Sequence, residues 1–133
     1  MLPKKILLAE DDTDDQSLFI EFLQEREDIV VLPVAENGVE LFDFLQKVDE
    51  DTFLPDLIIL DQNMPKRNGL QTLALLKENM RFRDIPVVIY STYADRQLRD
   101  VGLEKGAGLV LPKPVSREGY LEMIDTILKT LPG

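Results

Sequence analysis

The chain has 133 residues, of which 44% are hydrophobic and 30% are charged, as is typical of one globular domain that buries roughly two-thirds of its unfolded surface. Without cysteine or histidine, it cannot form disulfides, thiolate or histidine metal sites, or Ser-His and Cys-His catalytic pairs. The net charge of −10 argues against nucleic-acid binding, which needs a basic face, and no apolar stretch approaches the ~20 residues of a membrane span. We expect a single domain over residues 1–133 with no attached effector. We also expect the protein in the cytoplasm, because the lack of cysteine is compatible with that compartment.

Short apolar runs alternate with amphipathic stretches along the chain. We predict five strands, at about 4–9, 29–35, 56–60, 86–90 and 108–111. We predict five helices, at about 13–26, 38–49, 69–80, 94–105 and 117–131. Thr13 and Gln16 fit a capping box for the first helix, and Asn37 and Ser116 cap the second and fifth. Gly102 interrupts the fourth helix, which also has few large apolar residues.

The connections between these elements restrict the topology. Five βα units joined by right-handed crossovers allow few arrangements. Pro33 lies within the second strand, and because proline has no N–H for a central ladder, that strand belongs at an edge. We therefore predict an α/β fold, a flavodoxin-like (βα)5 three-layer sandwich whose parallel sheet has the order 2-1-3-4-5.

Polar residues follow the apolar strands at their carboxyl ends. Glu10 and Asp11 follow the first strand, Asp61 the third, Ser91 the fourth and Lys113 the fifth. Ligands bind at this edge of open α/β sheets, near the point where the strand order reverses, so Glu10, Asp11 and Asp61 should converge. Three close carboxylates repel one another unless they are protonated or bridged by a cation. Oxygen ligands without histidine or cysteine favour a hard ion, and Mg²⁺ with water completing its octahedral shell fits best.

Four motifs, in this order, closely resemble the receiver domain of two-component response regulators. They are Ile6-Leu7-Leu8-Ala9-Glu10-Asp11-Asp12, Leu60-Asp61-Gln62-Asn63-Met64-Pro65 with Asn68-Gly69, Tyr90-Ser91, and Lys113-Pro114. The resemblance spans almost the whole chain. It implies that Asp61 accepts a phosphoryl group from a phosphohistidine on a histidine kinase or histidine phosphotransfer protein. It also implies a monomer or weak dimer that signals through a downstream protein target.

The resemblance further assigns roles to the residues around the acceptor. Asp11, the Asp61 carboxylate and the backbone carbonyl of Asn63 would bind Mg²⁺, with Glu10 acting mainly through a bound water. Lys113 and Ser91 would donate to the phosphoryl oxygens. Such a protein phosphorylates and dephosphorylates itself and is not a turnover enzyme.

Two positions depart from the family pattern. The family usually has Tyr or Phe three residues before the lysine, where this chain has Val110. Tyr93, two residues beyond Ser91, is bulky enough to overhang the site, and both Tyr93 and Asn63 border the path of an attacking water. The route by which the signal leaves the site should therefore differ from the common one.

Acidic residues also crowd the start of the first predicted helix. Asp14 and Asp15 stand where negative side chains stabilise a helix dipole, and we assign them to that role. Asp12 is either an acid at the helix start or one that supports the site from behind its direct ligands. Ile20 falls beside the apolar face of the same helix, so we expect it to be partly exposed. It belongs either to peripheral core packing or to the surface that docks the phosphodonor in similar domains.

Two alternative functions remain. A phosphatase of the haloacid dehalogenase type also uses an aspartate after a strand together with Mg²⁺, but it expects a second aspartate where this chain has Asn63. A pseudoreceiver would bind partners without being phosphorylated, and its mark would be the loss of an acid or of the lysine, neither of which is lost.

Overall fold

The computed structural model describes residues 2–130, which form one parallel five-stranded sheet in the order β2-β1-β3-β4-β5. The strands are β1 (Lys4–Ala9), β2 (Ile29–Val31), β3 (Leu57–Asp61), β4 (Val87–Ser91) and β5 (Leu109–Pro112). The α-helices in this range are α1 (Thr13–Leu23), α2 (Gly38–Gln46), α3 (Gly69–Glu78), α4 (Arg96–Glu104) and α5 (Arg117–Thr130). The predicted flavodoxin-like order is confirmed, with β2 at an edge. The predicted last residue of the fifth helix, Leu131, lies outside the described range.

Helices cover both faces of the sheet, as the near-continuous apolar strands require. One buried cluster joins the sheet to α1 and α5 and contains Leu8, Phe19, Ile59, Val88 and Ile124. The other joins it to α2 and α3 and contains Leu7, Leu41, Ile58, Leu73 and Ile89. Neighbouring strand residues thus alternate between the two clusters. Within residues 2–130, no helix combines the length and the apolar character needed to cross a lipid bilayer.

Three elements in the first half of the chain, α1, β2 and α2, are shorter than predicted. β2 ends at Val31 because Pro33 cannot donate to the ladder, although Ala35 N still donates to Leu8 O at 3.0 Å. α1 ends at Leu23 and α2 at Gln46, each about three residues early. After α2 the hydrogen bonds change to the 3₁₀ pattern, because the amides of Lys47 and Val48 donate to carbonyls three residues back, at 3.2 Å each.

Helix caps fix where the helices start. The predicted Thr13 and Gln16 box is wrong, because Asp12 caps α1 and accepts from Asp15 N at 3.0 Å. The Gln16 amide instead donates to Glu10 O at 2.6 Å. Asn37 caps α2 as predicted, accepting from Glu40 N at 2.9 Å. Asp12 therefore fixes the entry of α1 directly after the acidic end of β1.

Gly102 does not interrupt α4, contrary to the prediction. The helix is continuous from Arg96 to Glu104, and Gly102 is one of its buried residues. A Cβ atom on Gly102 would lie 2.7 Å from Val110 Cγ2 on β5. The glycine therefore serves close packing of α4 on the sheet and not a break in the helix.

Candidate functional site

The strand register brings the acidic residues to one face of the sheet. Leu8, Ile59 and Val88 all face α1 and α5. Two residues further along each strand, the same face receives Glu10, Asp61 and Tyr90. Asp61 pairs with Tyr90 across the β3–β4 ladder. β3 ends at Asp61 and β4 at Ser91, so each strand extends one residue beyond its predicted end.

Glu10, Asp11 and Asp61 converge as predicted. One carboxylate oxygen from each lies within 4.8 Å of the others, with Glu10 and Asp61 buried and Asp11 exposed. An all-oxygen set with one face open to water suits a hard divalent cation such as Mg²⁺, which keeps several waters. These three residues fit such an ion.

Lys113 lies directly after β5 and crosses to the acidic cluster. Its Nζ atom lies 2.9 Å from Glu10 Oε1, 2.9 Å from Asp15 Oδ2 and 3.3 Å from Asp61 Oδ2. Burial by itself would lower the pKa of this ammonium, but hydrogen bonds to Asp15 and Glu10 outweigh it and raise the pKa. Lys113 is therefore a fixed cation beside Asp61.

The surroundings of Asp61 disfavour the negative charge of its ionised carboxylate. Burial raises its pKa to about 7, and the neighbouring Glu10 adds to the rise. Lys113 and the Asn63 N–H, 3.2 Å from Asp61 Oδ1, only partly oppose it. A bound cation would favour the ionised carboxylate, because a metal ion is often the largest local charge in a site.

Ser91 and Asn63 border a cleft beside this cluster. The Ser91 hydroxyl is buried and accepts from Tyr93 N at 3.2 Å. Ser91, Asn63 and Tyr93 line a cleft of about 360 Å³ together with Gln62 and residues of α4. The Tyr93 side chain is 80% exposed, so it stands over the rim of this cleft.

Two residues at the site escaped the sequence prediction. The sequence predicts only a helix-dipole role for Asp15, yet its carboxylate accepts from Lys113 Nζ. No role is predicted for Tyr90 from the sequence, yet its hydroxyl donates to Glu10 Oε1 at 2.6 Å. The period of two along β4 puts Tyr90 on the face of Glu10, and that signal was available in the sequence.

Known proteins share both the sequence pattern and the fold of this chain. The sequence model of the family described as "Response regulator receiver domain" matches residues 6–125. The transcriptional regulatory protein CpxR of Escherichia coli is 37% identical over 125 residues, which cover 94% of this chain and 49% of CpxR. The chain thus spans about half the length of that relative.

Two solved structures extend the comparison. The crystal structure of the Mn²⁺-bound form of response regulator Rcp1 matches with a TM-score of 0.79 and 30% identity, over 98% of this chain and 100% of that one. The phosphorylated cyanobacterial phytochrome response regulator RcpA matches with a TM-score of 0.80 and 28% identity, over 96% of this chain and 92% of that one. The fold of this chain is therefore shared with solved response regulators.

Proposed function

Since the chain belongs to the response regulator receiver family, a family of signalling modules, we propose that Asp61 accepts a phosphoryl group from a phosphohistidine on a partner histidine kinase or histidine phosphotransfer protein. The observation that carries the proposal is the position of Asp61. Its carboxylate ends β3, between the carboxylates of a divalent-cation site and the ammonium of Lys113. Phosphoryl transfer depends on such positioning and charge neutralisation.

Each residue of the site has its own role in the proposed phosphoryl transfer. An Asp61 oxygen forms a bond to phosphorus while the bond from phosphorus to the imidazole nitrogen breaks, and the histidine takes the leaving electron pair. Lys113 donates to a phosphoryl oxygen in place of its bond to Asp61, and the Ser91 hydroxyl donates to another. Mg²⁺ held by Glu10, Asp11, Asp61 and the Asn63 carbonyl would reduce the repulsion between the two anions.

Two relatives support this assignment by what their structures hold. The Rcp1 structure is a Mn²⁺-bound form, and the RcpA structure is a phosphorylated form. The present chain has the same fold and carries an oxygen-only cluster that includes Asp61 at the carboxyl edge of its sheet. We infer that the cluster takes Mg²⁺ and that the aspartate is the acceptor.

We propose that the protein passes its signal on by contacts with other proteins in the cytoplasm. The chain is acidic overall, which disfavours direct binding of DNA, and we propose a downstream protein as the target. A receiver of this kind works as a phosphorylated switch, as a monomer or weak dimer, and not as an enzyme that turns over substrate. Residues 1–133 are proposed to act as one receiver domain.

The proposal is tested by incubating the protein with acetyl phosphate and Mg²⁺ and measuring its intact mass. We expect a gain of one phosphoryl group, lost in Asp61→Asn and in Asp11→Ala, and kept in the control Asp43→Asn, an exposed carboxylate on α2. A folded protein that gains no phosphoryl group would support the pseudoreceiver alternative. Sustained turnover of phosphate monoesters would support the dehalogenase-type phosphatase instead.

A further inference from the structure

Tyr90 is buried in the sheet yet makes a polar contact with the metal site. Its side chain is 0% exposed. The hydroxyl donates to Glu10 Oε1 at 2.6 Å, within the 2.5–2.7 Å range of charge-assisted O–H···O⁻ bonds. Tyr90 and Glu10 are 80 residues apart in sequence, so the contact forms only when β1 and β4 occupy the same sheet.

The two oxygens of Glu10 have different partners. Oε1 receives both the Tyr90 hydroxyl at 2.6 Å and Lys113 Nζ at 2.9 Å. Oε2 receives the Asp12 amide at the longer distance of 3.2 Å, which places Oε2 beside the Asp11–Asp12 peptide. Oε2 is therefore the oxygen left available for a cation or for a water bound to it.

Glutamate needs such a restraint more than aspartate does. Its side chain has one more rotatable bond, and a mobile carboxylate must be ordered when the ion binds. A phenol restrains it without adding a charge, and the Tyr90 ring lies 5.3 Å from Lys113 Nζ, so the ring also supports the ammonium. Removing only the hydroxyl would leave that second contact in place.

We propose that Tyr90 is a positioning residue for the cation site, because its hydroxyl holds Glu10 Oε1 and thereby presents Oε2 beside Asp11. The inference rests on the proposed function, since it assigns a supporting residue to the Mg²⁺ site of the receiver. Partners that orient metal-binding carboxylates typically contribute 10–100-fold to metal affinity.

The first test is isothermal titration of the protein with Mg²⁺. Tyr90→Phe should lower the affinity about tenfold, while thermal unfolding shows that the variant remains folded. Tyr120→Phe is the matched control, a second buried tyrosine on the same face of the sheet, and should change the affinity by less than about twofold. Equal affinity in Tyr90→Phe and the unmodified protein overturns the inference.

A double-mutant cycle tests whether Tyr90 acts through Glu10. In Glu10→Asp the carboxylate is withdrawn by one C–C bond of about 1.5 Å, which takes it out of reach of the phenol. Tyr90→Phe should therefore cost less than about twofold in Mg²⁺ affinity in that background. The same loss in both backgrounds would mean that Tyr90 acts on the fold in general, and would refute the positioning role.

Phosphorylation kinetics separate this inference from the proposed function. In Tyr90→Phe, the rate of labelling by acetyl phosphate should return to the unmodified rate at saturating Mg²⁺, which a distorted site would not allow. A rate that stays low at saturation contradicts the inference. If the unmodified protein binds Mg²⁺ but accepts no phosphoryl group, the proposed function fails while the titration still decides the role of Tyr90. If it binds no Mg²⁺, both fail.

Discussion

Asp61→Asn should stabilise the metal-free protein, and the gain should depend on pH. The pKa of Asp61 rises from its ordinary 3.8 to about 7 in the folded chain, chiefly because the carboxyl is buried and secondly because Glu10 is adjacent. Below pH 3.8 the group is protonated whether the chain is folded or not, and it contributes no difference. As pH rises, the unfolded chain releases this proton first, so stability falls until about pH 7 and then levels off.

The size of the effect follows from the same shift. Each pKa unit corresponds to ~1.4 kcal/mol, so the displacement from 3.8 to about 7 has an upper limit of ~4 kcal/mol. Glu10 and Lys113 share the charge with Asp61, and water reaches the exposed Asp11 side of the cluster. We therefore expect about half of that limit, ~2 kcal/mol. For a chain of this length, such a gain raises Tm by roughly 5–10 °C.

Thermal unfolding followed by circular dichroism, without Mg²⁺, measures this gain at several pH values. The difference in Tm between Asp61→Asn and the unmodified protein should grow from about pH 4 to about pH 7. The exposed control Asp43→Asn should change the free energy of unfolding by no more than about 0.5 kcal/mol. Saturating Mg²⁺ should narrow the gap by stabilising only the unmodified protein. A variant no more stable than the unmodified protein at any pH would refute the reasoning about charge at this site.

Further predictions concern the phosphoryl contacts, the partner surface and the output. Lys113→Ala should slow phosphorylation by acetyl phosphate roughly 100-fold while Mg²⁺ affinity does not fall, and unchanged labelling would remove the lysine from the mechanism. Ile20→Glu, at a side chain 36% exposed, should keep acetyl-phosphate labelling but slow transfer from the cognate kinase about tenfold; full transfer would contradict a docking role. Tyr93→Ala should shorten the phosphoryl lifetime roughly fivefold by admitting the attacking water, a barrier change of ~1 kcal/mol, and an unchanged lifetime would count against crowding. Adding beryllofluoride should change amide hydrogen exchange over residues 92–106 more than over residues 109–112. Changes confined to residues 109–112 would contradict this prediction.

The sheet was predictable because strong local signals agreed with one another. Apolar runs with turn residues between them defined the strands, and Pro33 alone was enough to put the second strand at an edge. The helix ends were less predictable, because they depend on competing local hydrogen bonds. Asp12 rather than Thr13 caps α1, and both residue types are good caps, so only the backbone geometry separates them.

The site was predictable as far as backbone placement determines it. The carboxyl ends of parallel strands had to meet, so the convergence of Glu10, Asp11 and Asp61 followed from the strand order. The partners of Lys113 and Glu10 did not follow from it. Asp15 meets Lys113 across 98 residues of sequence, and the reach of a lysine side chain from the end of β5 to α1 is fixed by packing. Periodicity indicates only that Tyr90 lies on the face of Glu10, and not that the two side chains bond.

The packing of α4 on β5 explains why the output should involve the helix. Val110 is 5% exposed and leaves no room for a side chain at Gly102, so α4 rests on β5 through small groups and no ring has to turn for the helix to shift. The connection to the site is the bond from Tyr93 N to Ser91 Oγ at 3.2 Å. If the Ser91 hydroxyl turns toward a phosphoryl oxygen, that bond weakens, and the segment that leads to the α4 cap at Asp95 is released. A change at the phosphoryl group would then reach α4 through the backbone of this loop. The loop would switch between an ordered and a released state, and α4 would move against β5, which stays fixed.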